Sequence, residues 1–161
     1  MTLGVLAVAA AAASVGAPPC TAHDLSGSFR LVPGSAGAGN VVYALSVRNR
    51  SRRTCFVSGL PALTLLDPRG RMLPTHVRAA AAGRLTAVLV RLTPGRSARL
   101  TARFSPDVPG HGEGAPGKPC EPKAYELRVA PTGGGRLVVP VRPPTPVCEH
   151  GTLSATAFVA G

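Results

Sequence analysis

Residues 97–104 read Ser-Ala-Arg-Leu-Thr-Ala-Arg-Phe, and every second residue of this stretch is apolar. In an extended chain the four apolar side chains would share one face, while the serine, threonine and two arginines would share the other. Residues 41–48 repeat the pattern with Val, Tyr, Leu and Val at alternate positions. A period of two is typical of strands with one face in a core, so both stretches are predicted to be half-buried strands.

Working outward from these two strands, short apolar runs separated by turn residues continue along the chain. The 19 Gly and 17 Pro in 161 residues are too many for a helical bundle. Strands at this spacing without helices between them predict an all-β sandwich or barrel. Residues 79–82 are compatible with one helical turn, and residues 105–119 are predicted to be a mobile loop. The further strands are predicted near 25–32, 54–58, 62–66, 85–91, 125–129, 136–141 and 152–159.

The composition predicts one globular domain. A chain of 161 residues is within the usual size of a single domain. Its 45% apolar and 16% charged residues exclude a disordered chain. Aromatic residues make up 4% and Trp is absent, so the core must be built from Val, Leu and Ala. No linker divides the sequence, and residues 18–161 are predicted to form the domain.

The N-terminus is typical of an export signal. Residues 2–17 are uncharged and Ala-rich, with the length of a signal-peptide apolar region rather than of a membrane span. We predict a signal peptide over residues 1–17, with cleavage near 13 or 17, and a secreted, extracellular or cell-envelope-associated protein. Pro19 stands directly before Cys20, where a lipid-anchor motif needs a small residue. The alternative interpretation is a buried N-terminal segment.

The chain has four cysteines and no Cys-x-x-Cys pair, which argues against zinc and thioredoxin-type chemistry. In an oxidising compartment an even number of cysteines predicts two disulfides, for which four residues allow three pairings. The cysteines are Cys20, Cys55, Cys120 and Cys148.

The sequence contains none of the patterns that usually indicate catalysis. A nucleophile-elbow Gly-x-Ser-x-Gly and the glycine-rich phosphate and dinucleotide motifs are absent. His23-Asp24 is the only adjacent His/Asp pair, and His111-Gly112-Glu113 offers two ligands on a loop, which is a poor metal site. We therefore predict a protein that is not an enzyme and has no catalytic residues, cofactor or metal site.

Positive charge is the only suggestive feature. The chain has 18 Lys+Arg against 7 Asp+Glu, and four arginines lie within six positions, at Arg48, Arg50, Arg52 and Arg53. We call residues 48–53 the Arg-rich turn and treat its arginines as candidate anion-binding residues. The nearest acids in sequence are Asp24 and Asp67, so local neutralisation of all four charges is not expected. The alternative is a solvated surface whose Arg content reflects GC-rich codons.

The landmarks along the chain resemble those of the DUF4232 family (domain of unknown function), a group of secreted actinobacterial proteins of the four-cysteine type. The resemblance covers the chain from Cys20 to the C-terminus and implies an immunoglobulin-like antiparallel β-sandwich of about 7–9 short strands. It also implies that the first two and the last two cysteines are paired. The family has no known activity, and Phe104 stands where its members have Trp. The landmarks are Asn49-x5-Cys55-x3-Gly59-x-Pro61, then Leu65-Leu66-Asp67, Gly70, Leu92-Thr93-Pro94-Gly95, Ala98, Cys120, Leu127-Arg128-Val129 and Cys148.

Two hypotheses of function follow. The first is a non-enzymatic, monomeric binding module for an anionic envelope polymer, a lipid head group or an acidic protein. Nucleic acid is not expected as a partner, because export and the lack of aromatic residues beside the Arg-rich turn argue against it. The alternative is a secreted protease inhibitor that uses loop 105–119.

Overall fold

The computed structural model describes residues 16–81, 88–114, 120 and 122–161. Within them the chain forms eleven strands, a single 3-10 turn (Ala22–Asp24) and one short helical turn, α1 (Cys148–Gly151), so the predicted all-β class is confirmed. The strands are β1 (Leu25–Leu31), β2 (Val41–Asn49), β3 (Cys55–Ser58), β4 (Ala62–Leu66), β5 (His76–Ala79), β6 (Leu89–Leu92), β7 (Ser97–Phe104), β8 (Lys123–Ala130), β9 (Leu137–Pro146), β10 (Thr152–Ala155) and β11 (Val159–Ala160).

Nine of the strands form one sheet that curls almost into a barrel. Its order is β4-β8-β9-β1-β2-β7-β10-β5, and β11 also pairs with β7. The end strands β4 and β5 are consecutive in sequence, and the segment between them connects the two sheet edges. In this segment the backbone N–H of Leu73 donates to the carbonyl of Leu65 (2.9 Å). The N–H of Leu65 in turn donates to the Thr75 hydroxyl (2.9 Å). β3 and β6 form a separate two-stranded sheet that contributes Val57 and Leu92 to the core.

The structure corrects the predicted strand count and the purely antiparallel arrangement. The described residues form eleven strands rather than 7–9, and two pairs are parallel: β1 with β9 and β10 with β5. β5 has only four residues, too few for its alternation to be recognised, and it contains Ala79, where a helical turn was predicted. The predicted strand 152–159 is two strands, because the buried Phe158 interrupts it and its N–H donates to the Gly59 carbonyl.

The strongest alternation in the sequence forms the centre of the sheet. β2 and β7 pair antiparallel along eight residues of each strand, with Tyr43 opposite Ala102 and Leu45 opposite Leu100. The Tyr43 ring lies 5.0 Å from that of Phe29 and 5.2 Å from that of Phe104, centroid to centroid. This small aromatic cluster gives the Val-, Leu- and Ala-rich core a centre without Trp.

The buried Tyr43 hydroxyl does not lack partners. It donates to the Pro143 carbonyl (2.9 Å) and contacts the Thr145 hydroxyl. Burial raises the pKa of this phenol, partly offset by the Thr145 hydrogen bond. Both partners are on β9, so the Tyr43 side chain of β2 is hydrogen-bonded to a strand that is separated from β2 by β1.

Two disulfides connect residues that lie outside the nine-stranded sheet. Cys20 is joined to Cys55, with Cα atoms 4.9 Å apart, and Cys120 to Cys148, with Cα atoms 5.5 Å apart. At the first bond the N–H of Cys20 donates to the Phe56 carbonyl (2.8 Å), so the segment before β1 is held alongside β3. Two disulfides are typical of an oxidising compartment.

Some expectations fall on residues that the structure does not describe. The predicted signal peptide lies outside the described residues except for positions 16 and 17. The same holds for residues 85–87 of the predicted strand 85–91 and for residues 115–119 of the predicted loop.

Replacing Cys20 and Cys55 together by alanine should lower the free energy of unfolding by about 3.5–4 kcal/mol, the loop-entropy value for closing some 36 residues. Urea unfolding followed by circular dichroism measures the change. The Cys120→Ala/Cys148→Ala variant is the matched control for the loss of a disulfide elsewhere. If the Cys20/Cys55 variant is as stable as the wild type, the bond does not constrain the unfolded chain in this way.

Candidate anion-binding site

The Arg-rich turn is held in place by one buried side chain. Asn49, the last residue of β2, is completely buried, and its amide N–H groups donate to the carbonyls of Arg53 (2.7 Å) and Leu92 (2.9 Å). Its Oδ1 accepts from the N–H (2.9 Å) and the hydroxyl (2.7 Å) of Ser51. These four bonds fix the path of the turn and attach it to β6. The turn is therefore a rigid part of the fold.

Two of the four arginines are oriented by hydrogen bonds to backbone carbonyls. Arg48 Nε donates to the Gly95 carbonyl and Arg50 Nε to the His23 carbonyl, each at 3.0 Å. Both side chains are exposed, and no other hydrogen bond from either guanidinium group is present among the described residues. Because a guanidinium group has five N–H donors, each group keeps donors for a ligand while its direction is set.

The other two arginines differ from this pair. Arg53 Nη2 lies 3.9 Å from Oδ1 of Asp24, so one of the two acids nearest in sequence approaches one of the four arginines. Arg53 is nevertheless 79% exposed, and such a long contact at the surface contributes little to stability. Arg52 is exposed, and no ion pair links it to a described residue. The second acid near in sequence, Asp67, lies elsewhere and binds Arg71.

Asp24 is a buried carboxylate that stabilises the segment beside the turn. Its Oδ2 accepts from the hydroxyl (2.7 Å) and the N–H (2.9 Å) of Thr21, and its carbonyl accepts from the N–H of Arg50 (2.8 Å). The Thr21 hydroxyl, the Thr21 N–H and, more weakly, the charge of Arg53 lower the pKa of Asp24, against an opposing effect of burial. Asp24 is thus committed to structure and is not a candidate general base.

A shallow groove runs along the protein surface beside the turn. Its largest part has a volume of about 480 Å³ and is lined by Arg50, Arg136 and Ser26, among others. Two adjoining parts of about 330 and 260 Å³ share Ser26 and Arg48 with each other. We call this the anion groove and define it by Arg48, Arg50, Arg136 and Ser26. None of the residues that line its three parts is acidic.

Arg136 is the charged groove residue that sequence reasoning missed. It lies just before β9, far from the Arg-rich turn in the chain, and reaches the groove because β9 pairs with β1. That pair is parallel, and no local pattern in the sequence indicates it.

The loop around His111 and Glu113 has a structural role up to residue 114. The Glu113 side chain is only 3% exposed, and its carboxylate accepts from the N–H groups of Gly110 (2.7 Å), Glu149 (2.6 Å) and His150. Glu149 and His150 both have φ of 56°, and this left-handed pair turns successive N–H groups toward the carboxylate. The described part of the predicted loop is therefore anchored to α1. The hypothesis of protease inhibition by residues 105–119 stays a prediction.

The described residues contain neither a metal-binding cluster nor a membrane-spanning helix. Residues 16–81, 88–114, 120 and 122–161 contain no cluster of three or more His, Cys, Asp or Glu that could hold a metal ion. The same residues contain no helix of the length and apolar character needed to span a bilayer.

Replacing Asn49 by alanine should lower the free energy of unfolding by about 2–4 kcal/mol, because the buried bond to the Leu92 carbonyl is lost together with the bonds to the Arg53 carbonyl and to Ser51. Urea unfolding measures this change. Ser51→Ala is the matched control: it removes one of the four Asn49 bonds and the exposed contacts of the Ser51 hydroxyl with the carbonyl (3.1 Å) and N–H (3.3 Å) of Arg53, and it should cost less, about 1 kcal/mol. Equal costs for the two variants would show that the Asn49 amide is not the anchor of the turn.

Stability should depend on pH through Asp24. Because its folded-state pKa is below the unfolded value of about 4, its ionised form stabilises the fold above that pH, and the contribution is lost as pH falls through the folded pKa. Asp24→Asn should therefore be less stable than the wild type at pH 7, with the difference shrinking below about pH 4. Asp107→Asn, at an exposed loop carboxylate, controls for the loss of one negative charge. A wild-type advantage that stays constant down to pH 2 would contradict this account.

Comparison with known proteins agrees with the resemblance seen in the sequence. A family model described as "Domain of unknown function (DUF4232)" matches residues 20–159. No curated protein and no solved structure matches the chain. The matched region includes all four cysteines, β2, the Arg-rich turn and β7. Because the match covers most of the chain, this protein belongs to the DUF4232 family.

Proposed function

We propose that this protein is a non-enzymatic, monomeric binding module that is secreted or associated with the cell envelope and binds an anionic envelope component in the anion groove. The observation that carries the proposal is the groove itself: Arg50 lines one part with Arg136 and an adjoining part with Arg48, and the lining of its three parts contains no acidic residue. The proposal therefore rests on charge and on the fixed directions of the arginines.

The chemistry of the groove suits phosphate or carboxylate oxygens. Guanidinium groups bind these oxygens with paired N–H donors, and such charge-assisted bonds are about twice as strong as neutral ones. The Ser26 hydroxyl adds a donor within the same lining. Since Arg48 and Arg50 are already oriented by Gly95 and His23, less side-chain freedom is lost on binding.

The location of the groove favours reversible, salt-sensitive binding. The groove is shallow and its arginines are exposed, so a ligand there would remain partly solvated. Charges at such a site are screened over about 8 Å at physiological ionic strength. Added salt should therefore weaken the complex.

We also propose that the protein is exported and that its strands form an immunoglobulin-like sandwich. The two disulfides support an oxidising environment, and the Ala-rich N-terminus predicts export. In this sandwich the curled sheet would be one layer and the β3–β6 pair would belong to the other. The shared core supports it, because buried residues of β3 and β6 join the cluster formed by the main sheet.

The groove variant Arg48→Ser/Arg50→Ser/Arg136→Ser should elute from immobilised anionic wall polymer at a clearly lower salt concentration than the wild type. The reason is the loss of three guanidinium groups that face one ligand. Substitution of exposed side chains usually changes stability by less than about 0.5 kcal/mol each, and thermal unfolding checks that the variant is folded.

The matched control is Arg69→Ser/Arg91→Ser/Arg128→Ser, which removes the same net charge from residues outside the groove lining. It should elute close to the wild type. If the groove variant and the control shift equally, retention reflects net charge alone and the groove is an ordinary solvated surface.

A further inference from the structure

The outward face of six neighbouring strands, β9, β1, β2, β7, β10 and β5, is basic and contains no acidic residue. The outward positions alternate with the buried ones along each strand. Between the arginines lie mainly small side chains, so the guanidinium groups are not shielded. The outward residues are Val138, Pro140 and Arg142 (β9), Ser26, Ser28 and Arg30 (β1), Val42, Ala44, Ser46 and Arg48 (β2), Ser97, Arg99, Thr101 and Arg103 (β7), Thr152 and Ser154 (β10), and His76 and Arg78 (β5).

The strand register arranges four of these arginines in a continuous path. Arg48 on β2 is opposite Ser97 on β7. Arg99 is the next residue of β7 after Ser97 whose side chain points outward, so it lies on the strand beside Arg48 and two residues further along that strand. Arg103 is four residues further on β7, and its β10 partner Ser154 also pairs with Arg78 on β5. From strand geometry the successive Cα separations are about 8, 13 and 10 Å. We call Arg48, Arg99, Arg103 and Arg78 the arginine track.

The charges of the track are not neutralised within the fold. All four side chains are exposed, and none forms an ion pair with a described residue. A further shallow depression of about 220 Å³ lies beside Arg99 and is lined by Leu100, Thr101, Thr156 and Val159. The path begins at Arg48, which also lines the anion groove. Groove and track therefore form one continuous basic surface.

We propose that the arginine track extends the anion groove into a binding surface for a single linear polyanion, which crosses the sheet from β2 to β5. This inference rests on the proposed function and specifies its ligand class. The path is about 30 Å long from strand spacings, so an isolated phosphate or head group contacts only one part of it. A chain with repeated negative charges can contact all four arginines at once.

Shape and composition favour a polymer over a membrane or a nucleic acid. The sheet curls almost into a barrel, so its outer face is convex, and a flat bilayer would touch only part of the track. A flexible chain can follow the curve. The outward residues named above also include no Phe, Tyr or Trp, whereas single-stranded nucleic acid is usually bound by stacking its bases on aromatic rings.

The test compares long-chain polyphosphate with tripolyphosphate, at equal total phosphate, by isothermal titration calorimetry over a range of salt concentrations. The wild type should bind the long chain at least tenfold more tightly. The track variant Arg99→Ser/Arg103→Ser/Arg78→Ser should lose this advantage but keep the binding of tripolyphosphate in the groove. Its log–log salt slope for the long chain should be smaller by about two to three, since each lost phosphate contact contributes about 0.7–0.9.

The control with Arg69, Arg91 and Arg128 replaced by Ser should keep the preference for the long chain, and it excludes an effect of net charge alone. Equal affinity of the wild type for both probes, or an unchanged track variant, would overturn the inference. So would tighter binding to phosphatidylglycerol vesicles or single-stranded DNA than to polyphosphate.

The groove variant separates the two proposals. If the wild type binds both probes equally and the groove variant binds neither, the proposed function stands and the track does not extend it. If the groove variant binds both probes as the wild type does, the proposed function fails, and the inference that depends on it fails too.

Discussion

Side chains alternate across the central strands β2 and β7, and the core and the basic surface both depend on this constraint. Tyr43, Leu45 and Leu100 point inward and are almost completely buried. Their neighbours, including Arg48 and Arg99, must then point outward. A shift of one residue would bury guanidinium groups and expose the aromatic cluster, at a cost above the roughly 5–15 kcal/mol of net stability that a domain has. The packing of the interior thus sets the position of the exposed charges.

Asn49 connects the sheet to the Arg-rich turn and fixes the path of the turn backbone. A buried amide with all its groups paired cannot move without leaving polar atoms unsatisfied in the core. The turn is also attached on its other side, where the N–H of Arg50 donates to the Asp24 carbonyl. A cluster of arginines on a flexible loop would lose more entropy on binding. Here the turn is fixed by hydrogen bonds, and two of its arginines, Arg48 and Arg50, line the anion groove.

Much of the fold could be predicted from period and composition, because both are local properties. The alternation in residues 97–104 identified β7, and the cluster at residues 48–53 identified half of the groove. Arg136 and the approach of Asp24 to Arg53 could not be predicted, since they depend on which distant strands become neighbours. The anchoring of Glu113 was missed for a related reason. It requires left-handed backbone at Glu149 and His150, and neither residue type signals this strongly.

Amide chemical-shift mapping during titration with long-chain polyphosphate tests most directly whether the outward face of the central strands binds anions. The account predicts shifts concentrated at residues 26–28, 48–51, 97–103 and 136, with residues 76–78 following if the chain reaches β5. The amides of β8 and of residues 105–114 should change little. Shifts that cluster on β8 or the 105–114 segment, or that spread evenly over all exposed arginines, would contradict it.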